Sequence, residues 1–362
     1  MKILFISRST LLKDKGGDTI QLLSTAEALK KLGVDIDIRL TNEVFEYEKY
    51  DLIHFFNIIR PADILPHIHK SQKRYVVSTI FVDYSEYEKK ARSGLYGRIF
   101  RIISADFAEY IKAMARFILN GEKISSLRYV LRGHRHSIQY ILRHSNLLLP
   151  NSNSEYHRLE KAYGITQKYI AIPNGINTNL FIPSEKTQRD EHLILCVARI
   201  EGRKNQLNLI KALANTKFNL VLIGSSAINQ KKYYQECLKF GGPNIRFVDF
   251  MEQKDLLDYY QKAKVHVLPS WFETTGLSSL EAAAMGCNIV ITRKGDAEEY
   301  FGDYAYYCEP DSPESIYVAI ENAAKNAVPP GLRELVIHNY NWEMAAQKTL
   351  DGYHQALLNT AI

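Results

Sequence analysis

The sequence predicts an α/β protein built from two doubly wound domains, and three observations carry that expectation. Short β-branched and aromatic runs alternate with helical patterns almost from end to end, as parallel sheets covered on both faces require. The chain has 362 residues, more than one hydrophobic core usually serves. The strands also fall into two series, separated by the polar stretch FIPSEKTQRDEH, and each series suits one doubly wound unit.

The first series opens with KILFIS, the glycine loop KDKGGDT and the amphipathic helix TIQLLSTAEALKKLG. VDIDIRL, DLIHFFN and RYVVSTIF follow as strands, with NLLLPNS and YIAIPN after a helical segment. The second series runs LILCVAR, FNLVLIG, IRFVDF, VHVLPS, NIVIT and AYYCEP, and NYNWEMAAQKTLDGYHQALL closes the chain as one more amphipathic helix. The expected division is 1–183, 184–340 and a terminal helix 341–362.

Composition narrows the function classes. Hydrophobic residues make up 46% and charged residues 24%, the balance of an ordinary soluble globular protein. No window approaches the uncharged apolar length of a membrane span. The opening MKILFISRST reads as a buried first strand rather than a signal peptide, because its apolar run is short and no small-residue cleavage site follows. Cys196, Cys237, Cys287 and Cys308 form no CxxC pair, a pattern of free thiols suited to a reducing cytoplasm.

The net charge of +6 is concentrated. Residues 89–143 hold twelve Lys/Arg against three acids, a balance of +9 that leaves −3 for the rest. This basic segment lies within the helical stretch 85–143, inserted between two strands of the first domain, where cations alternate with Tyr, Phe, Ile and Leu. Such a pattern fits either solvated helices or a surface that lies on anionic headgroups. No nucleic-acid-binding motif accompanies it.

Three constellations carry chemistry. Gly16-Gly17 stands between the first strand and first helix, where glycine admits a ligand to the backbone and the helix start attracts phosphate; a tight turn explains the pair as well, and the full GxGxxG fingerprint is missing. Arg199 and Lys204, in VARIEGRKNQLNLIKAL, follow the first strand of the second domain. There they face the carboxyl edge at which such sheets bind ligands and suit a diphosphate; the alternative is a solvated turn. Glu273 and Glu281 flank the start of a helix expected near Gly276, and Leu280 and Ala282–Ala284 surround the second acid. Carboxylates accept hydrogen bonds from sugar and ribose hydroxyls, while the backbone N–H groups of Thr275, Gly276, Leu277 and Ser278 suit a phosphate. The other reading is a capping acid plus an exposed glutamate, which predicts polar neighbours that the sequence does not provide.

With these residues in view, the chain resembles the retaining GT-B glycosyltransferases of family 4. Their two glutamates, with seven residues between them, appear here in PSWFETTGLSSLEAAAMG. The Arg199–Lys204 pair, PNGINTNLF, the N-terminal glycine pair and a terminal helix opened by Asn341-Trp342 and carrying Tyr353 extend the resemblance over the whole chain.

The resemblance implies two Rossmann-like domains facing a central crevice, with a nucleotide-sugar donor, UDP- or GDP-linked, held mainly by the second. Arg199 and Lys204 would neutralise the diphosphate, Glu281 would bind the ribose, and Glu273 with the Thr275–Leu277 amides would hold the sugar and distal phosphate. Gly16 and Gly17 would close onto that phosphate, and the base would lie against 245–253, including Phe250. Transfer would retain configuration without a metal or other cofactor; the one Asp-x-Asp match, at 35–37, falls within a strand. Many relatives carry a histidine after the fourth strand, but VVSTIFVDYSEYEK has none. Asp83, or Ser78, takes that place in this reading, while Asp83 as a cap for the following helix is the alternative.

The expected activity is synthesis of a bacterial surface polysaccharide, lipopolysaccharide or other glycolipid, on a lipid-linked or oligosaccharide acceptor. The protein would sit peripherally on the cytoplasmic face of the cell membrane and would not bind nucleic acid. A soluble acceptor, a sugar-nucleotide epimerase of similar fold and a non-catalytic nucleotide-sugar binder are the competing readings.

Overall fold

In the computed structural model the described residues are 1–13, 16–90, 106–107, 110–111, 127–184, 187–227 and 230–358. Most of the basic segment (91–105, 108–109 and 112–126) lies outside them. The contacts divide the chain into two units. Unit 1 takes Met1–Val82, the described part of 93–174, and the terminal helix; unit 2 takes 83–90 and Gly175–Asn341.

Unit 1 is a five-stranded parallel sheet: β1 (Lys2–Ser7), β2 (Asp35–Leu40), β3 (Leu52–Phe56), β4 (Tyr75–Ser78) and β5 (Leu147–Leu148). The spatial order is β2-β1-β3-β4-β5. Its central strands are buried on both faces, which is why they read as unbroken apolar runs. RYVVSTIF pairs only as far as Ser78, because Ile80 takes a left-handed φ of 45° and turns the chain out of the ladder. The buried Glu155 carboxylate braces that turn, accepting hydrogen bonds from the Thr79 hydroxyl and from the Phe81 amide at 2.8 Å. YIAIPN contributes only a bridge between Tyr169 and Leu148.

The helix Trp342–Leu358 packs in unit 1, where Ala345, Ala346, Tyr353 and Ala356 share a core with Ile3, Phe5 and Leu22. Tyr353 reaches the buried His54 of β3: its hydroxyl lies 2.7 Å from Nδ1, while the Ser78 hydroxyl lies 2.9 Å from Nε2. Burial pushes the His54 pKa down to about 3, so the ring is neutral and uses one nitrogen as donor and the other as acceptor.

Unit 2 is a six-stranded parallel sheet of β6 (Asp190–Val197), β7 (Asn219–Ile223), β8 (Ile245–Val248), β9 (Ala263–Leu268), β10 (Asn288–Thr292) and β11 (Ala305–Cys308). The order β11-β10-β9-β6-β7-β8 reverses direction between β6 and β9. That reversal opens the gap at the strands' carboxyl ends where open α/β sheets bind ligands.

The division near residue 184 expected from the polar stretch falls instead between Asn174 and Gly175. Phe181 is fully buried against Tyr260, and Arg189 donates to the carbonyls of Tyr260 (3.0 Å) and Ala263 (2.6 Å), so FIPSEKTQRDEH is stitched into unit 2.

Candidate active site

The residues that follow β6 and β9 meet at the point where the strand order reverses. After β6 the chain runs through Arg199 into a single 3-10 turn, Gly202–Lys204. After β9 it runs through Pro269 and Ser270 to Glu273. The Trp271 amide donates to the Arg203 carbonyl at 2.9 Å, and the Asn205 side chain donates to the Pro269 carbonyl at 2.9 Å. These bonds fix the spacing of the two loops.

Lys204 and Glu273 form an ion pair at 2.8 Å, and the Ser270 hydroxyl donates to the same Glu273 oxygen, Oε2, at 2.9 Å. Glu273 is 7% exposed. Burial works against the charge on Lys204, but Glu273, with Tyr84 and Glu201 adding, outweighs it and holds the ammonium above its ordinary pKa. Arg199 is more open: its side chain is 40% exposed, and its guanidinium lies 3.4 Å from Glu201.

The Glu273 backbone is pinned as firmly as its side chain. Its amide donates to the Lys294 carbonyl at 3.0 Å, and its carbonyl accepts from the Asp296 amide at 2.9 Å. Gly295 makes this approach possible. It has a φ of +105°, and a Cβ there would collide with the Glu273 carbonyl.

The helix after Glu273 is Leu277–Ala284, one residue beyond the expected start. Gly276 stands at its N-cap in the left-handed conformation, φ 68°, and presents no capping side chain. The first amides of a helix have no intrahelical partner, so the Thr275–Ser278 backbone suits an anion. Glu281 lies one turn into the helix and is buried at 5% exposure, unlike the exposed glutamate of the competing reading. Gln253 donates to its Oε1 at 2.6 Å and Tyr260 to its Oε2 at 2.8 Å. Burial raises its pKa from 4.5 to about 7, against the pull of those two hydrogen bonds.

The structure thus gathers Arg199, Lys204, Glu273, Thr275, Gly276, Leu277 and Glu281 at one edge of unit 2. Phe250, 61% exposed, follows β8 and precedes Gln253, so the 245–253 stretch ends on Glu281. Asp83 accepts a hydrogen bond from the Ser85 amide at 2.9 Å, the geometry of a local cap. Gly16 and Gly17 belong to unit 1. Gly16 is the N-cap of Gly17–Lys31 and donates its amide to the Thr19 hydroxyl at 3.2 Å. Two contributors escaped the sequence reading: Tyr260 carries no motif, while Gly295, in KGDAEE just past an apolar strand, offered a glycine signal at the correct edge. Gln253 ends the 245–253 stretch expected to meet the base, but its bond to Glu281 was not foreseen.

Residues 178–348 match the family model described as Glycosyl transferases group 1. An uncharacterized glycosyltransferase of Methanocaldococcus jannaschii is 24% identical, with 99% of each chain covered. Among solved structures, sucrose-phosphate synthase of Thermosynechococcus elongatus superposes with a TM-score of 0.76 at 18% identity, covering 98% of each chain. Anabaena HepE in complex with UDP-glucose gives 0.71 at 14% identity, covering 98% of this chain and 99% of that one. The two parallel-sheet units have the fold of these GT-B proteins.

Proposed function

We propose, from the match of residues 178–348 to the glycosyl transferases group 1 model, a retaining, metal-independent transferase that moves a sugar from a nucleotide-sugar donor to a lipid-linked saccharide. The observation that carries the donor assignment is the Lys204–Glu273 ion pair (2.8 Å) beside the uncapped start of Leu277–Ala284. In this reading the anomeric C–O bond to the distal phosphate breaks as a bond to an acceptor hydroxyl oxygen forms. The hydroxyl proton passes to the departing phosphate oxygen, which takes the electron pair of the broken C–O bond, and nucleoside diphosphate leaves.

The chemical task is to stabilise charge growing on the departing diphosphate, which fixed cations and amides perform without reorganising. Lys204 and Arg199 take its oxygens, and the Thr275–Leu277 amides take the distal phosphate. These groups supply the positive potential that a metal provides elsewhere, so the reaction has no further task for one. Glu273 orients the donor sugar, Glu281 accepts from the ribose diol, and the base lies along 245–253 beside Phe250. The complex of HepE with UDP-glucose supports a donor of that class.

The lipid-linked acceptor and the anionic membrane surface rest on the +9 balance of 89–143. Among the described residues there, Leu131 is 85% exposed and adjoins Arg132, and Arg135 follows beyond a kink at Gly133. No helix among the described residues is long and apolar enough to cross a membrane; the contact with lipid in this reading is peripheral, by cations and dipped apolar groups.

Purified protein, offered UDP- and GDP-sugars with a lipid-linked acceptor, should form a glycoside of the donor's anomeric configuration, read by NMR. Alanine at Lys204 or Glu273 should lower kcat/KM by about two to three orders of magnitude; unchanged turnover defeats the site assignment. Loss of activity when positive charge is removed from 89–143, on lipid but not on soluble acceptors, would support the membrane role. Equal activity on both would favour the soluble acceptor.

A further inference from the structure

The 83–90 segment is the anomaly of the fold. It follows β4 of unit 1 in sequence, yet its contacts belong to unit 2, and they converge on the two loops that carry Lys204 and Glu273. The Arg203 guanidinium lies over the Tyr84 ring, 4.5 Å from its centre, and the same ring meets Phe272 edge-on at 6.2 Å. Tyr87 meets Trp271 at 6.2 Å, and its hydroxyl occupies the space that a Cβ on Gly202 would fill. Each tyrosine therefore touches both loops, one or two residues before Lys204 and one or two before Glu273.

Ion pairs fasten the segment at its far end. Lys90 pairs with Asp311 at 2.8 Å, and Lys294 reaches Glu86 at 3.5 Å. A short helical piece, Ser85–Lys90, buries none of its residues fully and adds little to any core. Its side chains are spent on this one address.

We propose that 83–90 is a strap in which Tyr84 and Tyr87 act as positioning residues, holding the Lys204 and Glu273 loops at the separation a nucleoside diphosphate needs. The inference rests on the donor-site reading above. Aromatic rings suit the task because a stacked guanidinium and an edge-on ring fix distance and angle together. The Tyr84 ring also occupies the Arg203 guanidinium, so that Lys204 alone of the two faces Glu273. Gly202 is the complementary half of the device, since only a residue without a side chain lets the Tyr87 hydroxyl settle there.

The test measures nucleotide affinity by calorimetry, with UDP and GDP as probes and the tighter of the two carried through. Lys204→Ala serves as the reference for the donor site. Tyr84→Leu and Gly202→Ala are each expected to weaken binding about tenfold while the melting temperature holds, and Tyr84→Phe, which keeps the ring, should stay within about twofold. Gly202→Ala should add nothing further in a Tyr87→Ala background, because the methyl group then has nothing to displace. If Tyr84→Leu fails to fold, Gly202→Ala and its pairing with Tyr87→Ala decide alone. Normal affinity in Gly202→Ala and Tyr84→Leu, with binding lost in Lys204→Ala, overturns the strap and leaves the donor site standing. Normal binding in Lys204→Ala, or no binding of either nucleotide to the wild-type chain, overturns the donor-site reading and the strap with it.

Discussion

Glu281 shows how a single carboxyl can be legible in type and illegible in state. Its setting among Leu280 and Ala282–Ala284 signalled burial, but nothing in the sequence pointed to Tyr260 and Gln253, which lie on a helix whose period reads as ordinary core packing. With its pKa raised from 4.5 to about 7, the folded chain holds the Glu281 proton more tightly than the unfolded chain does. The resulting stabilisation is fully present below pH 4.5 and is lost as pH rises through 7, a change on the order of 3 kcal/mol. Glu281→Gln carries no ionisable group, so its urea-unfolding free energy should fall less than that of the wild type between pH 5 and pH 8. Parallel pH dependence in the two proteins would show that Glu281 does not titrate in that window.

At the scale of elements, strands and helices with strong patterns were readable, and the contacts that aim their loops were not. VHVLPS and LSSLEAAA became β9 and the helix Leu277–Ala284, but the zipper between Glu273 and Gly295–Asp296 depends on a loop more than twenty residues further on. Gly295→Ala must displace the Glu273 backbone and adopt a strained φ, and is expected to cost roughly 1–3 kcal/mol together with most of the activity. Gly276→Ala meets Ile291 Cδ1 only at 3.1 Å and should cost less. Thermal melts with parallel activity assays would rank the two. In unit 1 the comparable joint is His54 with Tyr353. Tyr353→Phe leaves a buried imidazole nitrogen without its partner, an expected loss of about 1–3 kcal/mol, detectable as faster amide exchange in β3 and the terminal helix but not in unit 2. Equal exchange in both proteins would mean that the hydroxyl contributes nothing there.

The whole molecule consists of two units, each with buried clusters of its own, and composition together with strand rhythm announced that plan. The border was misplaced because polarity alone marked it. Phe181 and Arg189 give an apparently loose stretch its anchors, and no local pattern shows that an arginine will be spent on carbonyls of another element. The 83–90 segment was invisible for the same reason, since its partners lie more than a hundred residues away. Removal of residues after Asn341 should therefore expose the Ile3–Phe5–Leu22 core of unit 1 and lower the unfolding transition of that unit, while the transition of unit 2 persists. A single transition that shifts as one would argue that the two units unfold together.

The cysteines give this division a practical use. All four are buried free thiols, all fall within unit 2, and burial pushes their pKa values up to about 11 or 12. A neutral, inaccessible thiol reacts only when the structure around it opens. The native chain should therefore look inert to a thiol reagent, and the slow appearance of modified cysteine would clock the breathing of one half of the molecule while remaining blind to the other.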